Sequence, residues 1–215
     1  TKQTYCNQVT SYIRSLIRKG TLEIGAPVKE AVLSEQLGIS RAPIREALQV
    51  LVQEGLITSE PQKGKHVRQM TGKEIYDSYV VAGILEGAGV AESLPLWTEA
   101  NMETFRSVVR QMEGKISYAT KLDELAEIDE LFHATLFMAC DNTRLVEMAR
   151  TSCATISKYL YYQHWITMFT PREYADRHHA VAEAVYSRDV KHVETALRDH
   201  YKETGLRMAQ FGKEA

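Results

Sequence analysis

The 215-residue chain has little cysteine and no long apolar run. Its three cysteines include no C-x-x-C pair, which argues against a disulfide framework and against a thiolate zinc site. No segment approaches 18 consecutive apolar residues, and the N-terminal segment is too polar for a secretory signal. With 44% hydrophobic and 25% charged residues, the composition is typical of a globular protein. We therefore expect a soluble cytoplasmic protein without a membrane partner.

Positive charge is concentrated at one end of the chain. Residues 1–70 contain ten Lys/Arg and six Asp/Glu, a net charge of +4, whereas residues 71–215 contain sixteen and twenty-two, a net charge of −6. The total of −2 conceals this asymmetry. It indicates that the N-terminal part meets a polyanion and that the C-terminal part does not.

The first 55 residues show helical periodicity interrupted by a short turn. Apolar residues recur at helical spacing, and Gly38 lies in a turn of about four residues between two helical segments. We predict helices over residues 4–19, 29–37 and 40–54, with Ser40 as the N-cap of the third. Two short helices joined in this way are typical of a helix-turn-helix.

Two short strand patterns follow the helices. Residues 56–59 and 66–69 flank the basic turn PQKGK at residues 61–65, a pattern that predicts a wing. Thr71 and Glu74 have the spacing of a capping box, so a new helix begins directly after the wing. We therefore predict a winged helix-turn-helix domain over residues 1–70 and a second domain over residues 71–215.

The second domain contains only helical patterns. Thr170 and Glu173 form another capping-box pattern, with Pro171 at the first helical position. The predicted helices cover residues 74–93, 98–117, 121–140, 143–164, 171–187 and 189–211. The predicted fold is mostly α, with an N-terminal winged helix-turn-helix that has a two-stranded wing, followed by an all-α antiparallel bundle of six helices.

The second helix of a helix-turn-helix presents its N-terminal residues to the major groove. Here those residues include Ser40, Arg41, Pro43 and Arg45. Arg41 and Arg45 lie one turn apart, so their guanidinium groups can reach neighbouring base edges or phosphates, and Ser40 at the helix N-terminus can hold a phosphate. The alternative is that the two arginines only pair with Glu35 or Glu46 on a solvated face. The wing adds three candidates for backbone or minor-groove contacts: Lys63, Lys65 and His66.

These residues resemble a known family. The segment LSEQLGISRAPIREALQVLVQEGLI at residues 33–57, followed by KGKHV at 63–67, resembles the winged-helix domain of GntR-type bacterial transcription regulators. The resemblance implies that Arg41 and Arg45 read double-stranded DNA and that Gly64 shapes the tip of the wing. Some family members carry a further DNA-contacting arginine where this sequence has Ala31, so their base preferences do not transfer directly.

Four ligand-type residues in the helical part face inward by their spacing. Asp129 and His133 lie one helical turn apart on an apolar face. His178 shares a face with Val181 and Val185, whereas His179 and His192 face outward, and His200 again follows apolar positions. Three imidazoles and one carboxylate suit Zn²⁺ and also Ni²⁺, Mn²⁺ or Fe²⁺. For each histidine alone, the alternative is a hydrogen-bonded histidine of the core.

The same part of the chain resembles the C-terminal FCD domain of the FadR subfamily of GntR regulators. The resemblance lies in DELFH at 129–133, DNTRL at 141–145, RHHAV at 177–181 and LRDH at 197–200. It implies a metal held by the same four residues, at the floor of a pocket for a small carboxylate effector. Many relatives have an arginine where this sequence has Ala82, so a guanidinium for the carboxylate would come from elsewhere, and Arg150 is our candidate.

The function that these features favour is a homodimeric transcription repressor, not an enzyme. Two winged helices would bind an inverted repeat in a DNA operator, and the effector would control that binding at the metal. One alternative is a DNA-binding regulator whose metal is purely structural. Another is a metal-dependent hydrolase, but no general-base motif such as H-E-x-x-H is present and the N-terminal domain would then have no role.

Overall fold

A computed structural model describes residues 4–214, which form two compact units. The first unit contains residues 4–70 together with Ala154–Gln163. The second contains Thr71–Cys153 and residues 164–214. The described residues form ten α-helices and one two-stranded antiparallel sheet, so the predicted mostly-α fold with a small wing is confirmed.

The first unit has the helix order expected of a helix-turn-helix. Its helices are α1 (Tyr5–Arg18), α2 (Glu30–Leu37) and α3 (Arg41–Gln53). Gly38 ends α2 with a φ of 65°, a left-handed conformation that glycine adopts without strain. The helices pack through a set of fully buried side chains from α1 and α3: Ile13, Ile44, Ala47, Leu48 and Leu51. The predicted N-cap Ser40 has extended backbone, but its side chain makes no capping hydrogen bond.

The wing is a hairpin of β1 (Ile57–Glu60) and β2 (Gly64–Val67), with Ile57 opposite Val67 and Glu60 opposite Gly64. The predicted bounds, 56–59 and 66–69, place the second strand two residues too late. Gln62 and Gly64 have φ values of 66° and 85°, and they reverse the chain within residues 61–63. The turn is therefore shorter than predicted.

Residues 154–163 join the first unit, although the sequence places them in a helix of the second domain. The backbone N–H of Met70 donates to the hydroxyl of Tyr161 over 3.1 Å. The Arg18 guanidinium lies 4.1 Å from the centre of the Tyr162 ring and donates to its hydroxyl, and the Gln163 amide donates to the carbonyl of Arg18. The aromatic residues of this segment thus complete the core of the first unit.

The second unit contains seven helices where the sequence predicts six. They are α4 (Gly72–Ser93), α5 (Glu99–Ile116), α6 (Ala126–Leu136), α7 (Thr143–Ser152), α8 (Tyr162–Met168), which begins in the segment shared with the first unit, α9 (Pro171–Ser187) and α10 (Val190–Ala209). The predicted helix over 121–140 is shorter because a 3₁₀ turn, Leu122–Leu125, precedes α6.

The predicted helix over 143–164 is wrong. It is divided into α7, a π-helical turn at Ile156–Leu160, and α8. Leu160, Tyr161 and Tyr162 are consecutive and all buried. A regular α-helix cannot turn three consecutive side chains toward one core, so burial of this segment requires the break.

Both predicted capping boxes are confirmed. Thr71 and Glu74 begin α4, and Thr170 and Glu173 begin α9, each with both reciprocal hydrogen bonds. A third box at Thr98, in which Asn101 replaces the usual acidic residue, begins α5 and is not predicted. Three helix starts are thus determined by local hydrogen bonds.

Helix α4 is the most apolar helix of the bundle and packs closely on α10. By length and composition, residues 72–96 could cross a membrane, but half of their apolar window is buried inside the protein. A side chain added at Gly83 would lie 2.8 Å from Cβ of Tyr201, and one at Gly205 would lie 2.8 Å from Cβ of Tyr79. This close helix packing accounts for the small and apolar residues of α4.

Candidate functional sites

The N-terminal end of α3 exposes the arginines that the sequence singles out. Ser40, Arg41 and Arg45 are exposed, whereas Pro43 is half-buried in the first turn. The opposite side of the helix packs into the core through Ile44 and its neighbours. Among the described residues, Arg41 makes no ion pair or hydrogen bond. The helix therefore presents two cations to solvent from a rigidly packed element.

The basic residues of the wing differ in their exposure to solvent. Lys63 is exposed at the turn and pairs with Glu60, with 2.8 Å between Nζ and Oε2. Gly64 has open space where a side chain would lie. Lys65 and His66 are half-buried and lie in β2, so Lys65 belongs to a strand and not to the predicted turn. Of the three basic candidates in the wing, only Lys63 is therefore exposed.

Glu30, which the sequence analysis missed, connects two of these cations. Its Oε2 accepts a hydrogen bond from Nε of Arg45 at 3.3 Å, and its Oε1 accepts one from Nζ of Lys65 at 3.1 Å. Burial raises the pKa of Glu30, but the hydrogen bonds from Lys65 and Arg45 outweigh burial, so its pKa lies below the usual value. Arg45 therefore pairs with Glu30 and not with Glu35 or Glu46, the two partners that the sequence suggested.

The four predicted ligand-type residues converge in the second unit. Asp129 and His133 come from α6, His178 from α9 and His200 from α10. One ring nitrogen from each of the three histidines lies within 4.8 Å of the others. The Oδ1 atom of Asp129 is 3.1 Å from Nε2 of His178 and 4.0 Å from Nε2 of His133. The predicted facing also agrees with exposure, since the side chain of His178 is 1% exposed and that of His179 is 41% exposed.

A buried carboxylate supports His133 from outside this group. The Nδ1–H group of His133 donates to Oε1 of Glu86 over 2.6 Å, and the Tyr201 hydroxyl donates to Oε2 of the same carboxylate over 2.7 Å. Burial lowers the pKa of His133, but the charge of Glu86, the hydrogen bond with Glu86 and the charge of Asp129 together outweigh burial and raise this pKa to about 9. A bond on Nδ1 leaves Nε2 directed toward Asp129. Glu86 is separated from its partners by 47 and 115 residues, so periodicity could not identify it.

The other two imidazoles favour the neutral form. Burial lowers the pKa of His178, only partly offset by Asp129, and burial together with the charge of Arg177 holds the pKa of His200 well below its usual value. His178 donates from Nδ1 to the carbonyl of Tyr174 over 2.8 Å. Its Nε2 lone pair then faces an oxygen of Asp129, whose own pKa is lowered because its bonds and charges with the two histidines outweigh burial. Two electron-rich atoms 3.1 Å apart require a proton or a cation near them.

Two arginines are relevant to anion binding in this unit. Arg150 is exposed near the end of α7 and, among the described residues, makes no ion pair. Arg177 is largely buried and donates to Glu203, Thr204 and the carbonyl of His200. The structure therefore does not connect Arg150 to the histidines, whereas Arg177 is bonded to one of them.

Comparison with known proteins gives two family matches. Residues 6–67 match the profile described as bacterial regulatory proteins, gntR family, and residues 77–203 match the FCD domain. The second match alone covers more than half of the chain. The order of the two matches is the FadR-type arrangement.

Individual relatives agree with these matches. A probable D-xylose utilization operon transcriptional repressor of Paenarthrobacter nicotinovorans is 31% identical over 149 residues, 68% of this chain and 64% of the relative. The HTH-type transcriptional repressor RspR of Escherichia coli K12 is 26% identical over 193 residues, 88% of this chain and 82% of the relative. The solved structure of E. coli McbR/YncC has the same fold, with a TM-score of 0.70 at 19% identity, and the match covers 97% of this chain and 99% of that one.

Proposed function

This chain belongs to the gntR family of bacterial DNA-binding transcription regulators and carries an FCD domain, and we propose that it is a repressor controlled by a small carboxylate effector at a divalent metal. The family and the named relatives are transcription regulators, so the chain is a regulator and not an enzyme. A protein that binds operator DNA acts in the cytoplasm. The observation that carries the effector proposal is the convergence of Asp129, His133, His178 and His200.

Operator contact is assigned to the exposed end of α3 and to the wing. Arg41 and Arg45 supply forked donors that match guanine edges, and Ser40 with the first N–H groups of α3 supplies a phosphate site. Pro43 shapes the first turn of this helix. The wing adds phosphate or minor-groove contacts from Lys63, Gly64, Lys65 and His66. Each chain has one winged helix, so a homodimer would read an inverted repeat of two half-sites.

A divalent metal fits the four ligand-type residues. The group offers three imidazole nitrogens and one carboxylate oxygen, a set that suits Zn²⁺ best and also accommodates Ni²⁺, Mn²⁺ or Fe²⁺. The buried Nδ1 of His200 has no hydrogen-bond partner among the described residues, and the Nε2 lone pair of His178 faces an anionic oxygen. A cation that bound these lone pairs would give Nδ1 of His200 a partner and would remove the repulsion between His178 and Asp129. When bound, the metal would supply Lewis acidity for the carboxylate of an effector.

The chain's own residues would orient these ligands. Glu86 holds His133 through Nδ1, and the carbonyl of Tyr174 holds His178 in the same way. Carboxylate and carbonyl partners of this kind select the tautomer and the ring orientation of a ligating histidine. Both rings thereby direct Nε2 toward Oδ1 of Asp129.

The effector needs a positive partner in addition to the metal. We keep Arg150 as the candidate that could reach an effector carboxylate from α7. Arg177 is the second candidate because its guanidinium already contacts the backbone of His200. Position 82 is a buried alanine and offers no charge. An effector that prefers one arrangement of the DNA-binding dimer would shift its population.

A thermal-shift panel tests this proposal. Small carboxylic acids and sugar acids are added to metal-loaded protein and to a chelated sample, because a ligand of the native state raises the midpoint of unfolding. Stabilisation by an acid only in the metal-loaded sample supports effector binding at the metal. If chelation lowers the midpoint but no acid raises it, the metal is structural, which the burial of His178 also favours.

A further inference from the structure

Glu30 joins three elements of the winged helix through one carboxylate. It is the first residue of α2, and its two oxygens contact Arg45 of α3 and Lys65 of β2. The side chains of Glu30 and Lys65 are 24% and 21% exposed, so this pair is shielded from solvent more than surface ion pairs are. The backbone supports the same junction, because Val28 N–H donates to the carbonyl of Lys65 over 2.8 Å.

Arg45 is held by only one edge of its guanidinium group. Glu30 accepts from Nε, and among the described residues the two terminal nitrogens of Arg45 make no hydrogen bond. The arginine side chain is 69% exposed, so its outer edge faces solvent. A guanine offers O6 and N7 to a pair of N–H donors, and the two terminal nitrogens of an arginine match that pair. The side-on contact therefore restricts the side chain and leaves the edge suited to a base free.

The charge balance at this junction matters for DNA of any sequence. Arg45 and Lys65 bring two positive charges, and Glu30 cancels one of them. Attraction to phosphates is electrostatic and independent of sequence, so a neighbouring carboxylate weakens binding to every duplex. Orientation of Arg45, in contrast, favours only a duplex with a guanine at the matching position.

We propose that Glu30 is a positioning residue for operator recognition, which orients Arg45 for base contact and reduces binding to non-operator DNA. The inference rests on the proposed function, because it requires that Arg45 contacts the operator. It assigns discrimination between DNA sequences in part to a carboxylate that acts through Arg45.

Glu30→Gln tests the proposal because it keeps the size of the side chain and removes the charge. The operator is represented by a duplex that the wild-type protein selects from a random library, and non-operator DNA by a shuffled duplex of the same composition. Affinities for both are measured by fluorescence anisotropy over a series of salt concentrations. Glu35→Gln is the matched control, since Glu35 lies on the same helix, is exposed and makes no ion pair among the described residues.

We expect Glu30→Gln to lower the ratio of operator to non-operator affinity about tenfold, within the range of one bidentate base contact. Affinity for the shuffled duplex should rise, and Glu35→Gln should leave the ratio unchanged. A purely structural role would weaken binding to both duplexes equally and lower the midpoint of thermal unfolding. The double variant Glu30→Gln, Lys65→Gln has the same local net charge as the wild-type protein. It should still show a lower ratio of operator to non-operator affinity, so the test remains valid if the single variant unfolds.

Arg45→Lys supplies the second half of the test. Lysine keeps the charge but lacks the forked group, so Glu30→Gln should cause no further loss of discrimination in this background, while affinity for the shuffled duplex should still rise. A wild-type ratio in Glu30→Gln, or an equal loss in the Arg45→Lys background, would overturn the inference. If the wild-type protein selects no preferred duplex, the proposed function itself fails, and the inference fails with it.

Discussion

The two candidate sites of this chain are built in opposite ways. The proposed DNA-reading site lies within residues 40–66, on the surface, with its arginines at the solvated start of one helix. The ligand cluster draws on three helices between residues 129 and 200, and His178 at its centre is 1% exposed. A polyanion as large as DNA can be met only at a surface, whereas a single ion is held best where side chains enclose it.

The charges of the two sites differ for the same reason. Exposed cations such as Arg41 are screened by water and salt, so their attraction acts mainly on an incoming polyanion. Buried imidazoles respond to their immediate neighbours, and the pKa of His133 is raised to about 9 beside Glu86 while those of His178 and His200 are lowered. Substitutions should therefore act on DNA affinity at one site and on metal affinity at the other.

The largest expected effect is on metal binding by Asp129, His133, His178 and His200. His178→Ala combined with His200→Ala removes two of the four proposed ligands, and we expect the purified variant to contain no stoichiometric metal by elemental analysis. The control is His179→Ala combined with His192→Ala, which changes two more exposed histidines of the same two helices. Retained metal in the first variant would show that the ligand set is wrong.

The second effect concerns the recognition helix. Arg41→Ala or Arg45→Ala should each lower affinity for the selected operator by about 10- to 100-fold, since each removes a forked base contact. Metal content and the midpoint of thermal unfolding should not change. Arg144→Ala, which removes an exposed arginine from α7, serves as the charge-matched control. An unaltered sequence preference in both α3 variants would contradict their assignment.

The third effect concerns Glu86, which is proposed to orient His133 without binding the metal itself. Glu86→Gln keeps the volume of a buried residue but weakens its bond with Nδ1 of His133, so we expect metal affinity to fall about tenfold in a chelator competition assay. Glu92→Gln changes an exposed residue of the same helix and should have no effect. Equal metal affinity in the two variants would mean that Glu86 does not support the site.

The smallest effect belongs to the wing. Lys63→Ala should weaken binding to operator and non-operator duplexes alike by a few-fold and reduce the slope of log affinity against log salt by about 1, as for one lost phosphate contact. Lys73→Ala, an exposed lysine of α4, is the control. A selective loss of operator affinity would instead assign Lys63 to base recognition.

Sequence periodicity predicted the elements that depend on local order. Two capping boxes, the helix-turn-helix and the inward facing of His178 rather than His179 all follow from spacings of a few residues. Helix ends were predicted less well where burial competes with regular geometry, as in the π-helical turn at Ile156–Leu160. The bounds of β2 were predicted too late because Gln62 adopts a positive φ, which is uncommon for a residue other than glycine and leaves no signature in the sequence.

The sequence by itself determined the fold class, the two exposed arginines and the faces that carry the four ligand-type residues, because helical spacing places side chains on a common face. Only the tertiary structure decided which carboxylates support them. Glu30 meets Arg45 and Lys65, and Glu86 meets His133 and Tyr201, across 15 to 115 residues of chain. Burial makes an unpaired polar group costly, so the partner of each group is selected by packing and not by its distance in the sequence.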